Sequence, residues 1–325
     1  MADEQLGVIG AGAFGTALAI AQAQAGRRVV LWARDGAQAQ AMAEARVNAA
    51  RLPGATLPDC ITVTDDLTRA AQAPVLLLAV PTQALRGLLQ AHAAALHGSV
   101  LVLCCKGIER GTGLLPAQVV ADVMPGAVSA VLTGPSFAAD IASGKPTALT
   151  LATEAPQAAT LQTGLATRNL RLYLSDDPMG AQLGGALKNV IAIAAGLTIG
   201  AGLGESARAA LMTRGFAEIT RLAEARGAQA ATLWGLSGFG DLVLTCTSEK
   251  SRNYRHGLAL GAGQEPGHGQ TVEGVMTAHA ITEAHEDAAQ ALPVTAMVSA
   301  LLRGVLGMDE AIASLLSRPL RHELE

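Results

Sequence analysis

Aromatic side chains are scarce in this sequence: phenylalanine, tryptophan and tyrosine together account for 2% of its 325 residues. The interior must therefore be packed mainly from alanine, leucine, valine and isoleucine, in a chain that is 50% hydrophobic. A hydrophobic content this high excludes a natively disordered chain. The length suits two domains of ordinary size.

Cysteine is also rare, and the four that occur, Cys60, Cys104, Cys105 and Cys246, show no metal-binding spacing. We therefore expect no metal site. Cys104 and Cys105 lie in an apolar run, which favours core packing over redox chemistry. Because no signal peptide is recognisable, we expect a reducing, cytoplasmic environment.

Charge is low as well, with 15% charged residues, a formal net charge of −4 and no basic block. This balance argues against a nucleic-acid partner. Small acidic substrates remain open, because a few local cations suffice to bind them. The longest apolar stretch, residues 190–203, is too short and too rich in glycine to span a bilayer, so we expect no integral membrane association.

A glycine-rich turn near the start of the chain is the most informative motif. A short apolar run precedes Gly10, and a helical pattern follows Gly15. Gly10 permits a sharp turn, Gly12 lets the backbone approach a pyrophosphate, and Gly15 lets the helix pack against the strand. The backbone N–H groups at the helix start, from Ala13 onward, then face the phosphates. The motif predicts a dinucleotide site.

Apolar runs alternate with helical patterns through the first half of the chain. They predict strands at residues 6–9, 28–32, 75–80, 100–104, 129–132, 149–152 and 170–174. This alternation is typical of a mostly parallel, doubly wound sheet. After about residue 178 strand signals are nearly absent and long apolar helical segments take over. We predict an α/β Rossmann-type domain over residues 1–178, followed by an all-α domain over 179–325.

Arg34 and Asp35 close the second predicted strand, about twenty residues after the glycine turn. An acid at this point would bind a ribose 2′-hydroxyl, and an arginine would accept a 2′-phosphate. Both are present, so NADH and NADPH stay open, and Arg34 tilts the prediction slightly toward NADPH.

Two further polar groups follow strands in the first half. Lys106 would lie at the carboxyl edge of the sheet, where its ammonium suits a substrate carbonyl or a phosphate. The alternative is a surface lysine in solvent. A rigid loop from Gly134 to Ser136 offers backbone N–H groups and a hydroxyl to a polar substrate.

In the second half, Lys188 interrupts an apolar helix next to small residues such as Gly184 and Gly185. We expect those small neighbours to leave room for a ligand. A partly desolvated lysine has a lowered pKa, which suits it to proton transfer. The alternative is again a lysine that reaches solvent.

Asp241 lies in a glycine-rich loop, where it would orient a lysine, accept a substrate hydroxyl, or simply cap a helix. Farther on, Ser251, Arg252 and Asn253 combine a hydroxyl, a guanidinium and an amide, which is a good phosphate-binding set.

Taken in order, these motifs resemble those of the bacterial-type NAD(P)-dependent glycerol-3-phosphate dehydrogenases. The resemblance spans about residues 6–280. The matching pieces are GAGAFGTALA (10–19), LAVP (78–81), CKGIE (105–109), GPSFA (134–138), LKNV (187–190), SGFGDLVLT (237–245), SRN (251–253) and VEGV (272–275). One departure is Phe14, which stands where tryptophan is common and should serve equally well as an apolar contact.

The resemblance implies interconversion of dihydroxyacetone phosphate and sn-glycerol 3-phosphate with NADP or NAD, in support of phospholipid synthesis. It implies that Lys188 is the general acid/base. The residues that it implies for substrate contact are Lys106, Gly134, Ser136, Lys188, Asp241, Arg252 and Asn253. Those for cofactor contact, in addition to the three glycines and Ala13, are Phe14, Arg34, Lys106, Ala138, Arg252 and Glu273.

Two other functions compete with this interpretation. One is another two-domain NAD(P)-dependent reductase, of the hydroxyacid or ketopantoate reductase type; the phosphate-binding set at 251–253 argues against it. The other is a non-catalytic nucleotide sensor, which would need no proton donor such as Lys188. The expected partner is a small phosphorylated substrate, and the apolar helices are compatible with a homodimer.

Overall fold

The structure is a computed structural model that describes residues 5–267, 272–284 and 288–316. Its first part is built on a sheet whose strands run in the order β3-β2-β1-β4-β5-β6-β7-β8. The strands are β1 (Leu6–Ile9), β2 (Val29–Trp32), β3 (Ile61–Thr64), β4 (Val75–Leu78), β5 (Val100–Leu103), β6 (Ser129–Thr133), β7 (Thr147–Ala152) and β8 (Leu170–Ser175). Neighbouring strands are parallel except β6 and β7, which pair antiparallel.

The predicted mostly parallel sheet is confirmed, with one strand that the apolar runs did not predict. That strand is β3, whose sequence alternates instead of forming a continuous apolar run and which is only partly buried at the edge of the sheet. The central strands are continuously apolar because helices cover both faces. Leu77 and Val102 pack on one face with α1 (Ala13–Gln24), whereas Leu76 and Leu101 pack on the other.

The remaining helices of this part connect the strands. They are α2 (Gly36–Ala45), α3 (Leu67–Ala70), α4 (Thr82–Leu96), α5 (Pro116–Val123), α6 (Ala138–Ala142) and α7 (Ala158–Leu165). Cys104, just after β5, is buried as expected, and Cys105 is partly buried.

Among its described residues, the second part consists of helices and the segments that connect them, without a strand. It contains α8 (Pro178–Gly200), α9 (Gly204–Ala225), α10 (Ala230–Leu233), a π-helix (Leu236–Gly240), α11 (Asp241–Cys246), α12 (Arg252–Gly261), α13 (Glu273–Ala284), α14 (Ala288–Ala291), α15 (Pro293–Leu302) and α16 (Met308–Leu316). This confirms the predicted change from an α/β to an all-α architecture.

Helix α8 is the axis of the helical part. Its most apolar 18-residue window has a mean hydropathy of 1.5, and by length and composition the helix could cross a membrane, so the argument from length for residues 190–203 was wrong. The reason is that the helix begins well before that stretch, at Pro178. Its most apolar window is 89% buried inside the protein, where α9, α11, α12 and α13 cover it.

Glycines let α12 lie directly against α8. A Cβ at Gly257 of α12 would lie 1.9 Å from the backbone oxygen of Ile193, and one at Gly196 of α8 would lie 2.0 Å from that of Tyr254. Backbone contact this close needs residues without side chains. The packing fixes the start of α12, with Arg252 and Asn253, relative to the middle of α8.

Candidate active site

The glycine turn after β1 lies where the order of the strands reverses, between β1 and β4. Gly10 has φ 116°, and a Cβ there would lie 2.8 Å from the backbone oxygen of Ala79. A Cβ at Gly15 would lie 2.1 Å from the backbone oxygen of Gly10. Gly12, by contrast, has open space on its Cβ side.

Asn48 braces the turn from outside the motif. Its buried Nδ2 donates to the backbone oxygen of Ala11 at 2.9 Å and to Thr16 Oγ1 at 2.8 Å. Gly12 occupies the N-cap position of α1 without a side-chain cap, and Ala13 is the first residue of that helix. Uncapped N–H groups, the helix dipole and the open side of Gly12 fit the pyrophosphate of a dinucleotide.

A lysine–aspartate cluster lies between the two parts of the chain and consists of Lys106, Lys188 and Asp241. Lys188 Nζ donates to Asp241 Oδ1 at 2.5 Å, and Lys106 Nζ donates to Asp241 Oδ2 at 2.6 Å. Lys106 Nζ also donates to the backbone oxygen of Gly134 at 3.1 Å. Asp241 is 1% exposed and Lys188 6%. Two ammonium groups share one carboxylate, so the cluster carries a net positive charge.

Burial lowers the pKa of Lys188 to about 8; Asp241 opposes this shift, and the positive charge of Lys106 adds to it. Neither lysine is therefore the solvent-exposed side chain considered as the alternative. Asp241 is not the N-cap of α11, a position that Gly240 occupies; it lies in the first turn of that helix, and its oxygens accept from the two lysines.

The expectation that Gly184 and Gly185 leave room for a ligand was wrong. A Cβ at Gly184 would lie 2.9 Å from the backbone oxygen of Ser237, and one at Gly185 would lie 2.7 Å from Thr133 Oγ1. These glycines instead let the π-helix and β6 approach α8. Their effect is to bring Asp241, just after the π-helix, within reach of Lys188.

Thr245 is a member of the site that the sequence analysis missed. Its buried Oγ1 accepts from Lys188 Nζ at 2.6 Å and lies 3.3 Å from Asp241 Oδ1, to which it donates. It lies four residues after Asp241 on α11, a spacing that puts two side chains on one face of a helix. That spacing was the signal available in the sequence.

Asn253 connects α12 to both α8 and α13. Its Nδ2 donates to Asn189 Oδ1 at 2.9 Å, and its Oδ1 accepts from the backbone N–H of Gly274 at 3.0 Å. In the sequence, Asn189 directly follows Lys188, and Gly274 directly follows Glu273. Ser251, which was expected to join the phosphate set, caps α12 by accepting from the N–H of Tyr254.

Arg252 is exposed at the start of α12, and its charge acts on Glu273. Burial raises the pKa of Glu273 to about 7, and Arg252 opposes that shift. A Cβ at Gly107 would lie 3.3 Å from Glu273 Oε2, so Glu273 lies at the carboxyl end of β5, beside the residue after Lys106.

The loop after β6 supplies Gly134, Ser136 and Ala138. Gly134 has φ 142°. Ser136 Oγ is buried and has no hydrogen-bond partner among the described residues, which is uncommon for a buried polar group. Ala138 is the first residue of α6 and packs partly buried beside the α1 core.

Phe14 and Arg34 occupy different positions relative to the cluster. Lys106 Nζ lies 6.0 Å from the centre of the Phe14 ring, which connects the glycine turn to the cluster. Arg34 is exposed after β2, and within the described part of the chain its side chain makes no hydrogen bond or ion pair. Asp35 next to it caps α2 by accepting from the N–H of Gln38.

A surface cavity of about 130 Å³ at the end of α1 lies elsewhere and contains none of the predicted site residues. Among the described residues, no three histidine, cysteine or carboxylate side chains are grouped to hold a metal ion.

Models of one protein family match both parts of the chain. The model of the NAD-dependent glycerol-3-phosphate dehydrogenase N-terminus matches residues 5–159, and that of the C-terminus matches residues 177–313. The glycerol-3-phosphate dehydrogenase [NAD(P)+] of Roseobacter denitrificans is 55% identical over 98% of this chain and 99% of its own length. That of a Ruegeria species is 55% identical over 97% of this chain and 99% of its own length.

A solved structure of glycerol-3-phosphate dehydrogenase from Coxiella burnetii superposes with a TM-score of 0.93 at 34% identity, over 98% of this chain and 100% of that one. This superposition over nearly the whole of both chains supports the fold of a mostly parallel sheet followed by a helical second part. The chain belongs to the NAD-dependent glycerol-3-phosphate dehydrogenase family.

Proposed function

We propose that Lys188 is the proton donor in the interconversion of dihydroxyacetone phosphate and sn-glycerol 3-phosphate, the reaction that this chain catalyses with NAD(P). The reaction supplies glycerol 3-phosphate for phospholipid synthesis. When bound, the reduced cofactor supplies the hydride that adds to C2 of the ketone. Lys188 Nζ gives its proton to the C2 oxygen, and the positive cluster stabilises the negative charge that develops there.

The observation that carries this proposal is the pairing of both lysines with one buried carboxylate. Asp241 holds Lys188 Nζ at 2.5 Å and Lys106 Nζ at 2.6 Å, so neither ammonium is free to swing away. Thr245 fixes Lys188 from a second side. A donor held in place by neighbours needs little reorganisation when the proton moves.

Residues around the cluster would bind the phosphate of the substrate. We assign it to Arg252 and Asn253, which the packing of α12 on α8 holds near Lys188. Ser136, with its unpaired hydroxyl, and the backbone at Gly134 complete the polar surroundings of the substrate. Binding of the remote phosphate would orient C2 for reaction.

We assign cofactor binding to the glycine turn, with Gly10, Gly12, Ala13, Phe14 and Gly15. Ala138, Arg252, Lys106 and Glu273 complete the proposed contacts. NADPH is the preferred form in this proposal, because Asp35 is engaged as a helix cap while Arg34 has no protein partner in the described part of the chain. A free guanidinium suits a 2′-phosphate.

The organisation of the chain is part of the proposal. We divide it into a dinucleotide-binding domain over residues 1–178 and a substrate domain over 179–325, supported by the start of α8 at Pro178. We propose a cytoplasmic homodimer, supported by the apolar second half and by the exposed rings of Trp234 and Phe239, whose centres are 5.6 Å apart.

The test is a direct assay of the purified chain. The near-ultraviolet absorbance of reduced cofactor is followed with dihydroxyacetone phosphate, supplying NADPH and NADH separately. We expect rapid oxidation, faster with NADPH, and no comparable rate with unphosphorylated ketones. Turnover of an unphosphorylated ketone in preference would instead indicate a reductase of another type, and cofactor binding without turnover would indicate a sensor.

A further inference from the structure

The segment between α11 and α12, residues 247–251, reaches across to α6 of the sheet domain. Lys250 Nζ lies 3.2 Å from each carboxylate oxygen of Asp140. It also lies 5.7 Å from the centre of the Phe137 ring. In the sequence, Ser136 lies shortly before Asp140, and Arg252 lies shortly after Lys250.

We propose that the ion pair between Asp140 and Lys250 is a positioning contact that holds residues 247–251 against residues 134–138. Its effect is to make Ser136 and Arg252, which come from different parts of the chain, face the phosphorylated end of one substrate. This inference rests on the proposed function. Asp140 and Lys250 touch no reacting atom, so they act only through their neighbours.

The exposure of the pair indicates where its effect lies. The side chain of Lys250 is 54% exposed and that of Asp140 is 25% exposed. Ion pairs in such positions contribute little to folding. Their larger effect is on the freedom of a short loop, because a loop already held in its bound position loses less entropy when substrate binds.

Lys145 provides a matched control on the same carboxylate. Its Nζ donates to Asp140 Oδ1 at 2.8 Å, and its side chain is 61% exposed. Lys145 and Lys250 together lower the pKa of Asp140, with Lys145 the larger cause, so the carboxylate stays ionised at neutral pH. Lys145, however, follows α6 in the same segment of chain, and among the residues that the structure describes its Nζ is bonded to Asp140 alone.

The experiment measures kcat and KM for dihydroxyacetone phosphate at saturating cofactor, in the full-length chain. Lys250→Ala and Asp140→Ala should each raise KM about threefold with little change in kcat, in the range of an exposed ion pair. The double variant should be no worse than either single variant, because the same contact is lost. Lys145→Ala should leave KM unchanged, and the exchange Asp140→Lys with Lys250→Asp should recover most of the wild-type KM.

The Asp140→Ala variant separates the proposal from a simple effect of charge. If Lys250 merely attracted the phosphate, loss of the nearby negative charge in Asp140→Ala would lower KM or leave it unchanged. Either result, or additive effects in the double variant, would overturn the positioning role. Absence of turnover by the wild-type chain would be a different failure, because it would overturn the proposed function itself.

Discussion

The glycine turn and the lysine–aspartate cluster use opposite means to prepare for a ligand. The turn is made of backbone within six consecutive residues, from Gly10 to Gly15, and its shape depends on the absence of side chains. The cluster is made of side chains from the segment after β5 and from α8 and α11, which meet only in the folded chain.

The two sites also differ in what the fold must provide for them. The turn leaves N–H groups free at the start of α1, where a dinucleotide can satisfy them. The cluster buries charges, which is costly unless they are paired and hydrogen-bonded. Asp241 pairs with two lysines at once and so offsets that cost. We expect substitutions in the cluster to alter the chemistry, and substitutions in the turn to alter folding or cofactor binding.

The largest expected effect is loss of the proton donor. Lys188→Ala should lower kcat for dihydroxyacetone phosphate about 100-fold to 10,000-fold, the usual contribution of a general acid. Cofactor affinity, measured by fluorescence titration, should stay near that of the wild type, because the glycine turn is untouched. Lys145→Ala, which removes an exposed lysine, should have nearly wild-type kcat. A Lys188→Ala variant with near-normal turnover would remove Lys188 from its role.

Two glycines of the turn should respond differently to the same substitution. Gly15→Ala places a Cβ 2.1 Å from the backbone oxygen of Gly10, so the free energy of unfolding should fall by about 3 kcal/mol. Gly12→Ala has open space and should fold almost as well, yet bind cofactor more weakly. Urea unfolding and cofactor titration of both variants check this. Equal loss of stability in the two variants would show that Gly15 and Gly12 do not have these separate roles in packing and in cofactor binding.

A smaller effect is expected when the carboxylate of the cluster is neutralised. Asp241 raises the pKa of Lys188 against desolvation, so Asp241→Asn should lower it further, by about one pH unit or more. The pH at which reduction is half-maximal should then move down from about 8. Asp122→Asn, which neutralises a half-exposed carboxylate paired with Arg86, serves as the control and should leave the profile in place.

The smallest of these effects concerns cofactor choice. Arg34→Ala should reduce the ratio of kcat/KM for NADPH to that for NADH by about five- to tenfold, since a charge-assisted contact to the 2′-phosphate is lost. Arg69→Ala, another exposed arginine of the sheet domain, should leave the ratio unchanged. An unchanged ratio in Arg34→Ala would show that Arg34 does not recognise the 2′-phosphate.

The sequence predicted the features that depend on local patterns. Continuous apolar runs revealed the buried strands, and the spacing of Gly10, Gly12 and Gly15 revealed the turn. Strand β3 was not predicted because its sequence alternates and it lies, only partly buried, at the edge of the sheet. The antiparallel pairing of β6 with β7 has no signature in either strand alone, because pairing direction depends on how the intervening chain folds.

The partners within the site were less accessible to sequence reasoning. Lys188 was recognised in an apolar helix, and Asp241 in a glycine-rich loop from which it was expected to orient a lysine. The way the two side chains meet, however, depends on the π-helix packing against Gly184. Lys106 reaches the opposite oxygen of the same carboxylate from another domain. Asn48 was missed as a brace of the glycine turn for the same reason, since its partners lie more than thirty residues earlier.

The pH dependence of the wild-type reaction in both directions tests most directly whether Lys188 moves the proton. The profile of kcat/KM reports groups of the free enzyme, in which burial sets the pKa of Lys188 at about 8. Reduction of dihydroxyacetone phosphate needs the protonated amine, so it should fall as pH rises through 8, and oxidation of glycerol 3-phosphate needs the neutral amine, so it should rise. Profiles that are flat, or that change in the same direction for both reactions, would contradict the assignment of Lys188 as the proton donor.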